Sequence, residues 1–306
     1  MRSTAAPALT FDAAWASFCR ALKAEGARPW TLTTYTSAAN VLGVFLRQRG
    51  LATEPAAITR QSLEEFLSDQ LANHQPATAA NRYRAMRRFF GWLEAEGEID
   101  ASPMTWMRSP RVPVKPPEVV DDATITLLLR SCNGGTFEDR RDAAILSLLV
   151  DTGMRRSECA GIRLEDVDLD RQTVSVTGRG SRTRSVPFGA QAARSLDRYL
   201  RVRPGHPRAA SEMLWLGHVG AIQPNGVYQI VERRARLAGI EQRLRPHLFR
   251  HTMAHKWLSA GGEEGDLMRI AGWSSRSMLD RYGAAEPEDR ARAAHRRLSP
   301  LDRMAR

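Results

Sequence analysis

The chain has 306 residues, enough for about two domains that each bury a core. Lysine and arginine together number 45 against 34 aspartate and glutamate, a formal charge of +11 on an ordinary 42% apolar background. Only Lys23, Lys115 and Lys256 are lysines, so 42 arginines dominate, and guanidinium forks match the oxygens of a polyanion such as a phosphate backbone. GC-rich coding accounts for the arginine-to-lysine ratio but not for the positive excess.

The longest apolar run, Ala143 to Val150 broken by Ser147, is too short to span a bilayer. Met1 to Leu9 lacks the basic-then-apolar layout of a signal peptide. Cys19, Cys132 and Cys159 are odd in number and widely spaced, which argues against a disulfide framework or a thiolate zinc site. The sequence reads as a cytoplasmic chain.

Phe11 to Glu25 predicts a first helix, stopped at Gly26. Pro29 and Gly50 bracket a second, following the proline-first, glycine-last asymmetry of helices. Thr59 caps a third that runs to about Asn73, and a fourth extends from Pro76 to Gly97. On the fourth, Tyr83, Met86, Phe90 and Leu93 recur at helical spacing as an apolar stripe. Arg84, Arg87 and Arg88 fall off the stripe, where they either track a phosphate backbone or form a solvated face. Prolines 110, 113, 116 and 117 then impose an extended path, so 109–117 reads as a linker between an N-terminal domain, 1–108, and a C-terminal one, 118–306.

In the second segment, Asp121 or Asp122 caps a helix ending near Asn133-Gly134. Glu138 to Thr152 is a strongly apolar helix with Gly153 at its C-terminal cap. Val174 and Val176 alternate with polar residues, Gly178-Arg179-Gly180-Ser181 turns, and Arg182 to Phe188 returns as a β-hairpin. Further helices are expected at Gln191–Arg203, Pro224–Ala238, Pro246–Ser259, Asp266–Ala271, Ser275–Tyr282 and Pro287–Arg297. The fold class is therefore mainly α with a small β-sheet, all helical before the linker and α+β after it.

Three short motifs carry chemistry. In Thr152-Gly153-Met154-Arg155-Arg156-Ser157-Glu158, glycine ends a helix and Glu158 lies where it can orient the Arg155 guanidinium. By itself this is equally a structural ion pair. In Arg245-Pro246-His247-Leu248-Phe249-Arg250-His251, His247 and Arg250 share a helix face near its N-terminus, a place suited to an anion. His247, His251 and His255 recur at one-turn spacing, but no carboxylate stands between them in the zinc-protease arrangement, so His251 and His255 read as packing residues. Finally, Ala271-Gly272-Trp273 precedes Asp280-Arg281-Tyr282-Gly283, which presents a tyrosine at the end of a short helix. Tyr35, Tyr83, Tyr199 and Tyr228 read as packing residues.

In order and spacing, Arg155, the basic hairpin turn, His247-x-x-Arg250, Trp273 and Tyr282 together resemble the tyrosine recombinases, the phage integrase family. The likeness covers essentially the whole chain, at the size of the Xer-like members and without their larger relatives' arm-binding domain. It implies a helical core-binding domain that clamps DNA, a linker and a catalytic domain with an exchange tail from about residue 284. It further implies that Arg155 and Arg250 clamp the scissile phosphate, that His247 moves protons, and that Tyr282 attacks phosphorus to give a 3′-phosphotyrosyl link without metal, ATP or any other cofactor. Partners implied are a double-stranded recombination site, a homotetramer on synapsed DNA that is monomeric or dimeric off it, and accessory or directionality factors. The tail helix, with Arg290, Arg292, Arg296 and Arg297, docks on a neighbour in that picture, and the protein is nucleoid-associated.

Two positions depart from the family pattern. Trp273 stands where many members have histidine, and its indole N–H still donates a hydrogen bond. Arg179 stands where the family's general-acid lysine lies, and the hairpin has no lysine. A guanidinium is a poor acid near neutral pH. Three readings follow: Arg179 acts as an electrostatic donor while water or His247 delivers the proton; Lys256 or Lys115 substitutes; or activity is reduced. The first is favoured. A site-specific recombinase of integrase or resolvase type is the leading function; a type IB topoisomerase-like activity and a catalytically weakened DNA-binding accessory protein are the alternatives.

Overall fold

The computed structural model describes residues 9–113, 118–178 and 182–279, together with 292, 295, 296 and 299. The chain forms two compact units, Met1–Val114 and Lys115–Arg306.

The first unit is built on four helices: α1 (Phe11–Ala24), α2 (Pro29–Gln48), α3 (Arg60–Asn73) and α4 (Pro76–Ala95). The Thr10 and Thr59 hydroxyls accept amide hydrogens at the starts of α1 and α3, while Pro29 and Pro76 open α2 and α4, where the missing N–H costs nothing. The α4 stripe is buried as expected, and Phe89 and Ala79 join it. Phe89 is the hub that periodicity missed: Trp15 and Phe18 of α1 pack on it with ring centroids 4.7 and 5.5 Å away. Tyr83 is a packing residue whose hydroxyl donates to the Met107 carbonyl at 2.5 Å.

The second unit is organised around α6 (Phe137–Thr152), preceded by α5 (Asp122–Arg130) and followed by the short α7 (Arg156–Ala160). Strands β1 (Val167–Asp168), β2 (Thr173–Thr177) and β3 (Thr183–Pro187) form an antiparallel sheet in that order. Val174 opposes Val186 and Val176 opposes Arg184, so these four share the face turned to the core. Then come α8 (Ala190–Val202), α9 (Pro224–Leu237), α10 (Pro246–Ser259) and α11 (Glu264–Ala271).

The core of this unit gathers Ile145, Leu148 and Leu149 of α6 with Val174, Leu196, Trp215 and Phe249. A smaller cluster joins α10 to α11 through Met253, Leu258, Leu267 and Trp273. A charged knot ties α6 to α9: Asp142, fully buried, accepts from Arg141 at 2.9 Å, Arg233 at 2.5 Å and Arg234 at 2.7 Å.

Two expectations need correction. The helix expected to end near Asn133-Gly134 stops at Arg130. Ser275–Tyr282 opens as a 3-10 turn, Arg276–Met278, because the Ser275 hydroxyl accepts the Ser277 amide and bends the chain tightly; the rest, from 280, lies outside the described residues.

Candidate active site

Arg155 is placed by the end of α6. Gly153 ends that helix in the left-handed region, φ 57°, and a Cβ there would meet the Met253 Cε at 2.6 Å and the Arg250 Cα at 3.2 Å. Glycine therefore both turns the chain and lets α10 come close. Arg155 follows as the N-cap of α7, where Glu158 reaches back to accept its amide at 2.8 Å and its guanidinium Nη1 at 2.6 Å. The Arg155 Nη2 lies 3.4 Å from the Gly272 carbonyl.

Arg250 approaches the same turn from α10. It is 2% exposed, donates to the Gly153 carbonyl at 2.9 Å and the Ala271 carbonyl at 2.5 Å, and its guanidinium lies 5.1 Å from the centre of the Trp273 ring. His247, one turn earlier on α10, is exposed, and its ring meets that of His251 edge-on at 4.3 Å.

Thus residues 155, 247, 250 and 273, spread over more than a hundred positions, meet around the end of α6. Two cavities flank Arg155. One, of about 660 Å³, is also lined by Arg156, Tyr228, Arg243 and His247; the other, of about 560 Å³, by Gly178, Arg182, Arg184, Arg269 and Trp273.

Glu158 is the electrostatic centre. Burial alone would raise its pKa, but Arg184 donates to both carboxylate oxygens at 2.9 Å, and with the Arg155 amide and guanidinium it holds the group down at about 2. Beside it, burial pushes the Cys159 thiol up to about 12, leaving it inert as a nucleophile.

Arg184 was missed from the sequence. The available signal was its place on the inward face of β3, two residues before buried Val186, where an arginine requires an acidic partner. Tyr228 is a correction: it is half-buried on the cavity wall, its hydroxyl donating to Glu232 and accepting from Arg243 at 3.3 Å.

Lys256 is also displaced from its suggested part. Nine residues beyond His247 on one helix, it sits roughly 13 Å along the axis and about half a turn round, paired with Asp122. Lys115, Arg179 and Tyr282 lie outside the described residues, as do Arg290 and Arg297 of the tail. Gly178, the neighbour of Arg179, packs with its Cα side toward Glu158 Oε1, where a Cβ would come within 3.3 Å. Arg84, Arg87 and Arg88 belong to the first unit and are exposed; Arg84 binds Asn81, Arg87 donates to the Tyr83 hydroxyl at 3.0 Å, and Arg88 pairs with Glu25. Among the described residues, no three His, Cys, Asp or Glu side chains are grouped to hold a metal ion.

The description "Phage integrase family" matches residues 118–289, more than half the chain. The chain belongs to the phage integrase family. The description "Phage integrase, N-terminal SAM-like domain" matches residues 16–97 of this integrase-family protein. It is 34% identical over 200 residues to the tyrosine recombinase XerC of Corynebacterium efficiens, covering 65% of this chain and 64% of that one, just under two thirds of the relative's length. It is 30% identical over 231 residues to the tyrosine recombinase XerC of Myxococcus xanthus, covering 73% and 77% of the two chains. In fold it is similar to the Tn1549 transposon integrase solved in complex with a circular intermediate DNA, with a TM-score of 0.75, 18% identity and coverage of 95% and 99%. The helical first unit and α+β second unit of this integrase-family chain follow the fold of that integrase. No helix among its described residues is long and apolar enough to cross a membrane.

Proposed function

We propose that this chain is a site-specific DNA recombinase that breaks and rejoins strands through Tyr282. The observation that carries the reading is the convergence of Arg155, Arg250, His247 and Trp273 on the end of α6, two guanidinium groups held by carbonyls and a carboxylate beside open, arginine-lined cavities. Such an arrangement suits a phosphodiester, because fixed donors stabilise the charge that grows on the non-bridging oxygens in the transition state.

The Tyr282 oxygen attacks phosphorus, the bond to the 5′-oxygen breaks, and the phenolic proton passes to a base while the leaving oxygen takes a proton. The 3′-phosphotyrosyl bond conserves the energy of the broken one, so a partner strand's 5′-hydroxyl reverses the step and restores the tyrosine. Arg179 acts as an electrostatic donor at the leaving oxygen while water or His247 delivers the proton, a reading supported by the pairing of Lys256 with Asp122. The N-terminal domain, 1–108, grips the duplex through contacts that include Arg84, Arg87 and Arg88, 109–117 links it to the catalytic domain, 118–306, and four protomers act on two synapsed sites. The basic tail from about 284 docks on a neighbouring protomer, and the reaction takes place on DNA in the cytoplasm.

The test uses nicked duplexes built from the DNA flanking this gene. Wild type traps a covalent adduct and joins two separate duplexes; Tyr282→Phe traps none. Arg179→Ala slows trapping by about 10²-fold or more and Arg179→Lys does not. Wild-type rates in Arg179→Ala would remove Arg179 from the mechanism, and adducts in Tyr282→Phe would remove Tyr282.

A further inference from the structure

Arg184 uses its whole fork. Its Nη1 and Nη2 each donate to one oxygen of Glu158 at 2.9 Å, and its Nε donates to the Ile270 carbonyl at 2.9 Å. The Glu158 side chain is 1% exposed, so nothing but protein satisfies it. With both oxygens taken face-on by Arg184, Arg155 obtains one guanidinium contact, at Oε1, and its backbone amide binds Oε2. Arg155 is thereby denied the two-bond, fork-to-fork grip that an arginine makes with a lone carboxylate. Its Nη2 makes a long contact, 3.4 Å, with the Gly272 carbonyl, and the side chain lines both cavities.

The Ile270 contact adds a second constraint. Ile270 begins the segment whose Ala271 carbonyl receives Arg250 and whose Trp273 ring lies against the same guanidinium. Gly272, at φ 64°, has no Cβ where one would stand 3.0 Å from the Arg184 guanidinium carbon. One side chain of β3 therefore touches the supports of both arginines.

We propose that Arg184 is a positioning residue for the scissile phosphate: by occupying both oxygens of Glu158 and holding the Ile270–Trp273 segment, it keeps Arg155 out of a fork-to-fork pair and correctly aimed. The inference rests on the reading that Arg155 holds that phosphate.

The full chain is tested in single-turnover cleavage of a nicked duplex at saturating concentration. One duplex carries the native scissile phosphate, and the other has a neutral methyl in place of one non-bridging oxygen, which lessens the need for a guanidinium. Arg184→Gln slows native cleavage ~10- to 100-fold with unchanged DNA affinity. That deficit shrinks on the methylphosphonate together with the deficit of Arg155→Ala. In a cycle with Glu158→Gln the losses are less than additive, because the two side chains act through one contact set. Arg184→Lys, which retains the charge but not the fork, shows the same substrate dependence and substitutes for the glutamine variant if that one does not fold. Native-rate cleavage in Arg184→Gln, an additive cycle, or an Arg184 deficit equal on both substrates while that of Arg155→Ala shrinks would each overturn the proposal. If Arg155→Ala cleaves the native duplex at the wild-type rate, the phosphate reading itself fails.

Discussion

Glu158 shows how one buried carboxylate organises a cationic site. Its two oxygens accept four hydrogen bonds from Arg155 and Arg184, and the pair of guanidinium groups outweighs the cost of burying the charge. Because its folded pKa, about 2, lies below the unfolded value near 4.5, the charged form stabilises the fold fully above pH ~4.5, and that contribution is lost as the pH falls toward 2. The shift corresponds to roughly 3 kcal/mol. Glu158→Gln therefore lowers the unfolding midpoint at pH 7, and the gap from wild type narrows on acidification from pH 5 to 3. A gap independent of pH in a denaturation series would contradict this. The pairing of Arg155 with Glu158 was legible from their spacing. The part of Arg184 was not, because its partner lies 26 residues away and only the sheet register turns it inward.

Among the elements, α6 does most of the positioning. Its capping box, Thr136 with Asp139, fixes one end, Gly153 fixes the other, and Asp142 anchors its side to α9. Asp142→Ala leaves Arg141 buried without its ionic partner and Arg234 with Asp139 alone, and removing one partner of such a group costs about 3–5 kcal/mol. Urea denaturation should record a loss in that range; less than 1 kcal/mol would mean the knot contributes little. Helix starts and stops were readable because threonine, proline and glycine act locally through missing or added hydrogen bonds. The end of α5 and the turn at Ser275 were not, since a 3-10 turn and an extra half turn of helix differ little in local preference.

Across the whole molecule, the excess of arginine is divided between structure and surface. Arg141, Arg203, Arg234 and Arg250 are buried and bound to carbonyls or carboxylates, whereas Arg84, Arg87 and Arg88 are exposed. Arg88 is paired with Glu25 on the surface, so its loss changes stability by less than ~1 kcal/mol. DNA affinity, by contrast, should follow the count of phosphate contacts. A duplex neutralised at six to ten phosphates is released by ~10³- to 10⁵-fold between about 50 and 200 mM salt, with a linear log–log slope. A flat salt response in a binding titration would remove the phosphate backbone as the main source of affinity.

What the sequence determined by itself was whatever acts over a turn or two of chain: helix punctuation, the mainly α class with its hairpin, and the short motifs whose order marks the phage integrase family. Composition pointed to a polyanion for the same reason, since net charge needs no fold to be counted. Only the tertiary structure decided which arginines gather around the end of α6. It brought Arg184 to Glu158 and Gly272 to Arg184, seated Arg250 against Trp273, turned Tyr228 toward the cavity and carried Lys256 away to Asp122. The physical reason is that a guanidinium is identified by what surrounds it, and those neighbours come from strands and helices distant in the chain.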